Sequence, residues 1–262
     1  MKRRSIWSVA YKVLAVGLLL YGLTYGMLAE LPELPGLGQS SRNLFYHVPM
    51  WFVVIVMMSM SLYHSIRLLR LTDPDQTPSS PPLLADIRAR EAARLGMLFM
   101  VLGLITGTLW GRVAWKPHLA WTDPAAWWTN DPIIICALIS LLIYLAYFLL
   151  RSSFSEPEQR ARIAAAYNIF AFATLIPLYF IVPKMLPGLH PTSADSDAGG
   201  GSFIFMREGI DNTYRLLLYP SLLGFVLLGV WAYELRTRIA SLRYRLESWH
   251  ARHQYESQVS HP

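Results

Sequence analysis

Six long apolar runs alternate with short polar segments along this chain. A helix needs roughly 20 apolar residues to cross a hydrocarbon core about 30 Å thick, and each run has about that length. None of them shows the strict alternation of a membrane β-strand. The pattern therefore predicts an all-α fold, a polytopic bundle of six transmembrane helices. The predicted spans lie at about 7–29, 44–66, 95–113, 132–150, 162–183 and 216–234.

The composition agrees with a membrane protein. Of the 262 residues, 54% are hydrophobic and only 15% are charged, which is too apolar for an ordinary soluble domain. The first run follows Met-Lys-Arg-Arg, as a signal peptide would, but it is long and lacks a small-residue cleavage site, so we expect a retained anchor. Two regions are expected: a membrane domain at 1–234 and a tail at 235–262.

The lysines and arginines are distributed unevenly between the two sides of the predicted bundle. If the N-terminus is cytoplasmic, 16 of them fall in inner segments and 6 in outer segments. This asymmetry satisfies the positive-inside rule and explains the net charge of +6 without nucleic acid. Both termini are then predicted to be cytoplasmic.

The tail carries a second, narrower apolar pattern. Leu235, Ile239, Leu242, Leu246 and Trp249 recur at intervals of four and three residues, with arginines on the other faces. This spacing predicts an amphipathic cytoplasmic helix. The helix either lies on the anionic inner leaflet or packs against a partner, and the sequence leaves both alternatives open.

Two local patterns concern the packing and the beginning of helices. Gly103, Gly107 and Gly111 place three small residues on one face of the third helix, which favours the close approach of a neighbouring helix. Ser155 and Glu158 have the spacing of a capping box and predict where the fifth helix begins.

The outer segment between the third and fourth helices is unusually rich in tryptophan. Five indoles fall within nineteen residues, at positions 110, 115, 121, 127 and 128. An aromatic belt at the membrane interface needs only one or two for each helix end. The density of indoles therefore indicates an outward-facing aromatic platform as well as an anchor.

Two histidines flank this segment on the same side. His47 begins the second helix in "RNLFYHVPMWF", and His190 follows the fifth in "PKMLPGLHP". Two imidazoles beside a large aromatic surface match the needs of a heme, which takes nitrogen ligands on its iron and flat apolar walls around its ring. Cys136 is the only cysteine and no C-x-x-C-H is present, so a heme here is expected to lack thioether links.

Several charged residues stand near the same surface. Arg42, Arg112 and Arg215 lie at outer helix ends, where a guanidinium either pairs with a heme propionate or serves only the topology. Asp131 either orients the loop by accepting N–H bonds or caps the fourth helix.

Two further histidines are less favoured as ligands. His118 lies in an irregular part of the tryptophan-rich loop and is expected to be solvated. His64 is seventeen residues from His47, or roughly 26 Å along the same helix, at the cytoplasmic end. No other histidine occurs at the inner end of a predicted span, which argues against a second, inner heme.

These residues together resemble the heme exporter protein C (CcmC) family, within the CcmC/CcmF/CcsA superfamily of heme-handling proteins. The resemblance covers roughly residues 10–235 and depends on "FYHVPMWF", on "LWGRVAW…WWTNDP" and on His190. It implies His47 and His190 as axial ligands of the heme iron. The implied WWD-type platform, interrupted here by residues 116–126, consists of Trp110, Trp115, Trp127, Trp128 and Asp131.

The resemblance also implies a function and a location. Such proteins hold heme b on the outer face of the bacterial inner membrane and present it to a CcmE-like heme chaperone for cytochrome c maturation. Their other partners are CcmA/CcmB-type transporter subunits and a small CcmD-like protein. This chain has no P-loop motif, so we expect a transfer protein and no enzyme, with any ATPase in a partner.

Three alternatives remain at this level. A CcsA-type cytochrome c synthase component would share the outer loop but carry further membrane histidines. A permease for a small solute or heme would need polar groups near the bilayer midplane. A scaffolding subunit would tolerate the loss of both outer histidines.

Overall fold

The computed structural model describes residues 6–34, 37–71, 82–127, 130–191, 193 and 210–259. This part of the chain is almost entirely α-helical and contains no strand, which confirms the predicted fold class. Two short 3₁₀ turns, Gly38–Asn43 and Pro124–Ala126, accompany the helices. The α-helices are α1 (Ile6–Leu28), α2 (Leu44–Leu71), α3 (Pro82–Trp115), α4 (Pro132–Ser152), α5 (Pro157–Phe180), α6 (Val182–Met185) and α7 (Asn212–Val259).

Six of the described helices are long and apolar enough to cross a membrane, and α6 is a single turn. The protein is therefore a multi-pass membrane protein. Helix α2 lies at the centre and packs against α3, α5 and α7, while α1 packs mainly on α7 and α4 on α5. Apolar side chains such as Leu149 (70% exposed) and Phe170 (58% exposed) point outward, as a surface facing lipid requires.

Two helices run well beyond the predicted spans. Helix α3 begins at Pro82, thirteen residues before the predicted span at 95, and α7 continues without a break to Val259. The apolar side chains of the predicted tail helix are exposed on this extension, for example Leu242 at 64%. The division into a membrane domain and a tail at 234/235 stays a prediction. So does the membrane surface or partner that is expected to cover these apolar side chains.

The bundle has two chemically different ends. The arginine-rich end is formed by the beginnings of α3 and α5 and by the later part of α7. The tryptophan-rich end is formed by the described residues between α3 and α4 and by residues 186–191 after α6. The alternation of six spans places each end on one side of the membrane.

The beginning of α5 differs from the sequence prediction. The residue that caps the helix is Glu156, whose carboxylate accepts the amide N–H of Glu158 at 3.0 Å, and not Ser155. The reason is Pro157, which lies at the first helical position and holds the preceding residue in an extended conformation.

A buried ion pair joins α3 to α4 at the arginine-rich end. The Arg151 guanidinium donates to both carboxylate oxygens of Asp86 at 2.6 and 2.7 Å, and both residues are about 95% buried. Tyr147 lies beside the same guanidinium. Since a buried charge is stable only when it is paired, this contact fixes the relative position of the two helices.

His64 lies at this end too. Its Nε2 lies 3.0 Å from the hydroxyl of Tyr233, and the two rings are stacked. No second histidine faces it among the described residues. In the described structure the polar partner of the His64 ring is therefore a tyrosine hydroxyl and not a second imidazole.

We expect Arg151→Met to lower the stability of the folded protein strongly, because it leaves the Asp86 carboxylate buried without a partner. The cost should be about 3–5 kcal/mol. The double variant Asp86→Leu/Arg151→Met, which removes both charges, should recover most of this loss. Thermal unfolding in detergent measures both effects, and a double variant no more stable than the single one would contradict the expectation.

Candidate functional site

His47 lies in the first turn of α2 at the tryptophan-rich end. Its side chain is only 8% exposed. Its Nδ1 lies 2.9 Å from the hydroxyl of Thr106 on α3, and its Nε2 lies 3.3 Å from the indole nitrogen of Trp51, one turn further along α2. Both ring nitrogens therefore have polar partners in the described structure.

These contacts determine the tautomer of His47. An indole N–H can only donate, so Nε2 accepts from Trp51 and carries no proton. The Thr106 hydroxyl lies 2.9 Å from the carbonyl of Leu102 and donates to the α3 backbone, so it accepts the proton on Nδ1. His47 thus presents a lone pair on Nε2, with Thr106 orienting the ring from behind, the arrangement that metal-binding histidines usually have.

Small residues on α3 make room for these rings. A Cβ on Gly107 would lie 2.8 Å from Cε1 of His47, and one on Gly103 would lie 2.9 Å from the Trp51 ring. Gly103 and Gly107 therefore permit close approach of α2, as predicted, and the side chains that fill the space are those of Trp51 and His47. Trp110 closes another side, with its ring centroid 5.8 Å from that of His47 in an edge-on orientation.

His190 follows α6 in a loop that Asp131 holds in place. One oxygen of the Asp131 carboxylate accepts the amide N–H groups of Leu189 and His190 at 2.7 and 3.1 Å. The other oxygen accepts the amide of Ile133 and caps α4. Asp131 is 96% buried. The predicted helix cap is thus present, and the same carboxylate also holds the His190 loop, a contact that the sequence did not indicate.

The imidazole of His190 is half-buried. Burial lowers its pKa to about 4, although the nearby Asp131 carboxylate acts in the opposite direction. The ring is therefore neutral at physiological pH. His190 also lies within electrostatic range of His47, although the two residues are far apart in the sequence.

The tryptophans at this end of the bundle have different surroundings. The Trp110 indole donates to the hydroxyl of Ser40 at 3.1 Å and lies beside His47, whereas Trp115 folds back onto Gly111 of its own helix. Trp127 pairs with Trp121 at 5.3 Å and donates to its carbonyl. Among the described side chains, no ring contact joins Trp121 or Trp127 to Trp110. Trp128 lies outside the described residues.

The three arginines predicted at this surface have contacts of their own. Arg112 is 97% buried, donates to the carbonyls of Lys116 and Leu119, and lies over the Trp121 ring. Arg42 donates to the Gly26 carbonyl at 2.8 Å, which joins the first 3₁₀ turn to α1. Arg215 donates to the Asn212 side chain within the first turn of α7. His118 is exposed, as predicted.

Sequence reasoning missed two polar neighbours of His47. Trp51 had a detectable signal, because it lies four residues after His47 and therefore on the same helix face. Thr106 had none, because it lies on another helix and only the packing of α2 against α3 brings it to the imidazole.

The six spanning helices and the buried histidine site define the class of this molecule as a multi-pass helical membrane protein with a polar centre at one end of the bundle. Its sequence matches the profile of one family, heme exporter protein C (CcmC), over residues 2–252. The chain belongs to the heme exporter protein C family.

Individual relatives agree with this assignment. The heme exporter protein C of Paracoccus denitrificans is 28% identical over 232 residues, covering 88% of this chain and 85% of that protein. The protein of the same name from Bradyrhizobium diazoefficiens is 29% identical over 243 residues, covering 92% and 80%. The Escherichia coli K12 protein is 23% identical over 201 residues, covering 77% and 70%.

We expect Asp131→Asn to loosen the His190 loop, because the amide has one acceptor oxygen where the carboxylate offers two. Amide hydrogen exchange at Leu189 and His190 should become roughly 10- to 100-fold faster, since a hydrogen bond to a charged group is worth about 1.5–3 kcal/mol. Asp123→Asn is the matched control, because Asp123 also precedes a proline and caps a turn but, among the described residues, accepts only from Ala125. Equal exchange in the two variants would contradict the role given to Asp131.

Proposed function

We propose that this protein binds heme b without covalent attachment, through His47 and His190, and presents it for the maturation of c-type cytochromes. The observation that supports the proposal most directly is that His47, in the first turn of α2, and His190, in the loop after α6, lie within electrostatic range of each other. Membership of the heme exporter protein C family supports the same function.

The protonation states of the two histidines suit this role. A heme iron takes a neutral imidazole nitrogen as axial ligand. Nε2 of His47 already carries a lone pair, and His190 is neutral because its pKa is lowered to about 4. Neither ring therefore has to lose a proton before it binds iron.

The surroundings of His47 suit a flat apolar ring as well as a metal. Trp51 and Trp110 both present their rings within about 6 Å of the imidazole, and Trp51 also contacts Tyr179 on α5. Bound heme would supply an iron that the His47 and His190 imidazoles would hold. The chain's own part is to aim the imidazoles, exclude water with indoles and release the Trp51 hydrogen bond from Nε2 when the ligand enters.

The remaining site residues have supporting roles in this proposal. Trp115 and Trp127 extend the aromatic surface away from His47, and Trp128, which lies outside the described residues, is proposed to belong to the same surface. Arg42 and Arg215 provide positive charge for the propionates, while Arg112 organises the loop at 116–121 through its carbonyl contacts. Asp131 sets the position of His190 through the backbone.

Partners and orientation follow from the same proposal. The heme site faces outward from the bacterial inner membrane, and both chain termini are cytoplasmic, because the arginine-rich end then satisfies the positive-inside rule. A CcmE-like chaperone receives the heme, with CcmA/CcmB-type transporter subunits and a CcmD-like protein in the complex. The chain itself makes no covalent bond, and ATP hydrolysis belongs to a partner.

The test is the absorption spectrum of heme bound to the purified protein and to two variants, His47→Ala and His190→Ala. We expect each variant to lose the spectrum of a bis-imidazole heme and to bind heme at least about tenfold more weakly, since even residues that only support a metal ligand contribute roughly 10- to 100-fold. His118→Ala is the control, because this histidine is exposed in the neighbouring loop and should leave the spectrum unchanged.

Unchanged Soret absorption in both variants would reject the ligand assignment. If both variants also supported cytochrome c maturation as well as the parent protein does, the scaffolding alternative would be favoured.

A further inference from the structure

A cavity of about 600 Å³ opens at the arginine-rich end, on the opposite side of the bundle from the histidine site. It is enclosed by the beginnings of α3 and α5 and by α7 beyond Tyr233. Five arginines line it, against three carboxylates from Asp86, Glu91 and Glu247. The arginines are Arg90, Arg94, Arg160, Arg236 and Arg243.

Most of the negative charge in this cavity is already neutralised. The Glu91 side chain is 98% buried and contacts three guanidinium groups, those of Arg90 at 3.0 Å, Arg94 at 2.8 Å and Arg236 at 2.7 Å. Asp86 is paired with Arg151, which approaches from outside the cavity. The lining has two more arginines than carboxylates, so its formal charge is positive.

Two arginines of the lining are not used by this network. Neither Arg160 on α5 nor Arg243 on α7 has an ion pair with any described residue. Nε of Arg160 is buried and has no hydrogen-bond partner in the described structure. Because a buried N–H without an acceptor is costly, an external acceptor is expected at this point of the cavity.

The depth of the cavity identifies the kind of acceptor. Arg94, Arg160 and Arg236 lie within two residues of the ends of the predicted spans at 95–113, 162–183 and 216–234. The lining also includes apolar side chains, among them Leu83, Ile87 and Ile239. A ligand that fits both features has an anionic head and an apolar body and lies at the membrane interface.

We propose that this cavity binds the headgroup of an anionic phospholipid from the leaflet at the arginine-rich end. The phosphate accepts from Arg160 and Arg243, and the upper acyl chain lies against Ile87 and Ile239. Basic pockets between membrane helices are a recurrent way of recognising such headgroups. A soluble phosphate compound shares the anionic chemistry, but it would leave the apolar wall uncovered.

Binding is tested on the full-length protein in detergent, first stripped of lipid. Cardiolipin, phosphatidylglycerol, phosphatidylcholine and inorganic pyrophosphate are added separately, and the complexes are measured by native mass spectrometry and thermal unfolding. The variant is Arg160→Gln/Arg243→Gln. The matched control is Arg162→Gln/Arg245→Gln, which removes two exposed arginines two residues further along the same helices and outside the lining.

We expect the parent and the control to bind and be stabilised by the two anionic lipids, and the cavity variant to bind them about tenfold or more weakly. All three proteins should unfold at similar temperatures without lipid, because neither Arg160 nor Arg243 holds an ion pair. If the double variant does not fold, Arg243→Gln alone is compared with Arg245→Gln, since both side chains are exposed.

Three results would overturn the proposal. The cavity variant and the control could bind anionic lipid equally, phosphatidylcholine could bind as tightly as the anionic lipids, or pyrophosphate could bind in the cavity and displace cardiolipin. The last result would assign the cavity to a soluble anion.

Discussion

The carboxylate of Asp131 is the contact on which the geometry of the candidate site depends. It closes the N-terminus of α4 with one oxygen and holds the backbone of Leu189 and His190 with the other. A buried carboxylate is stable only when its oxygens accept several N–H groups, and here three amides satisfy it. The loop after α6 is thereby joined to a rigid helix end, and its imidazole lies within electrostatic range of His47.

The two histidines are positioned by different physical means. His47 is on a helix and is locked by packing, with Thr106 behind the ring and the glycines of α3 leaving space in front of Trp51. His190 is on a loop and is held through its backbone by a charge. Under the proposed function, one imidazole is fixed by packing and the other is held by a contact that can be opened, which suits the uptake and release of heme.

The sequence predicted the parts of this structure that depend on hydrophobic length and local chemistry. Six spans, the lack of strands in the described chain and the Asp-Pro cap of α4 follow from apolar runs and helix-end rules that act over a few residues. Contacts between distant segments could not be predicted in the same way. Only the packing of helices produces the contacts of Thr106 with His47, of Tyr233 with His64 and of Asp86 with Arg151. At the beginning of α5, Glu156 is the cap in place of Ser155, because Pro157 holds the preceding residue in an extended conformation.

We propose that the imidazoles of His47 and His190 lie close together. Chemical cross-linking tests this proximity most directly. In a Cys136→Ser background, His47→Cys and His190→Cys are combined and treated with a short bifunctional thiol reagent, and His118→Cys replaces His190→Cys in the control. An intramolecular cross-link between positions 47 and 190, absent from the control, is the predicted result. Failure of the 47/190 pair to cross-link, when each cysteine alone reacts with a monofunctional reagent, would contradict the account.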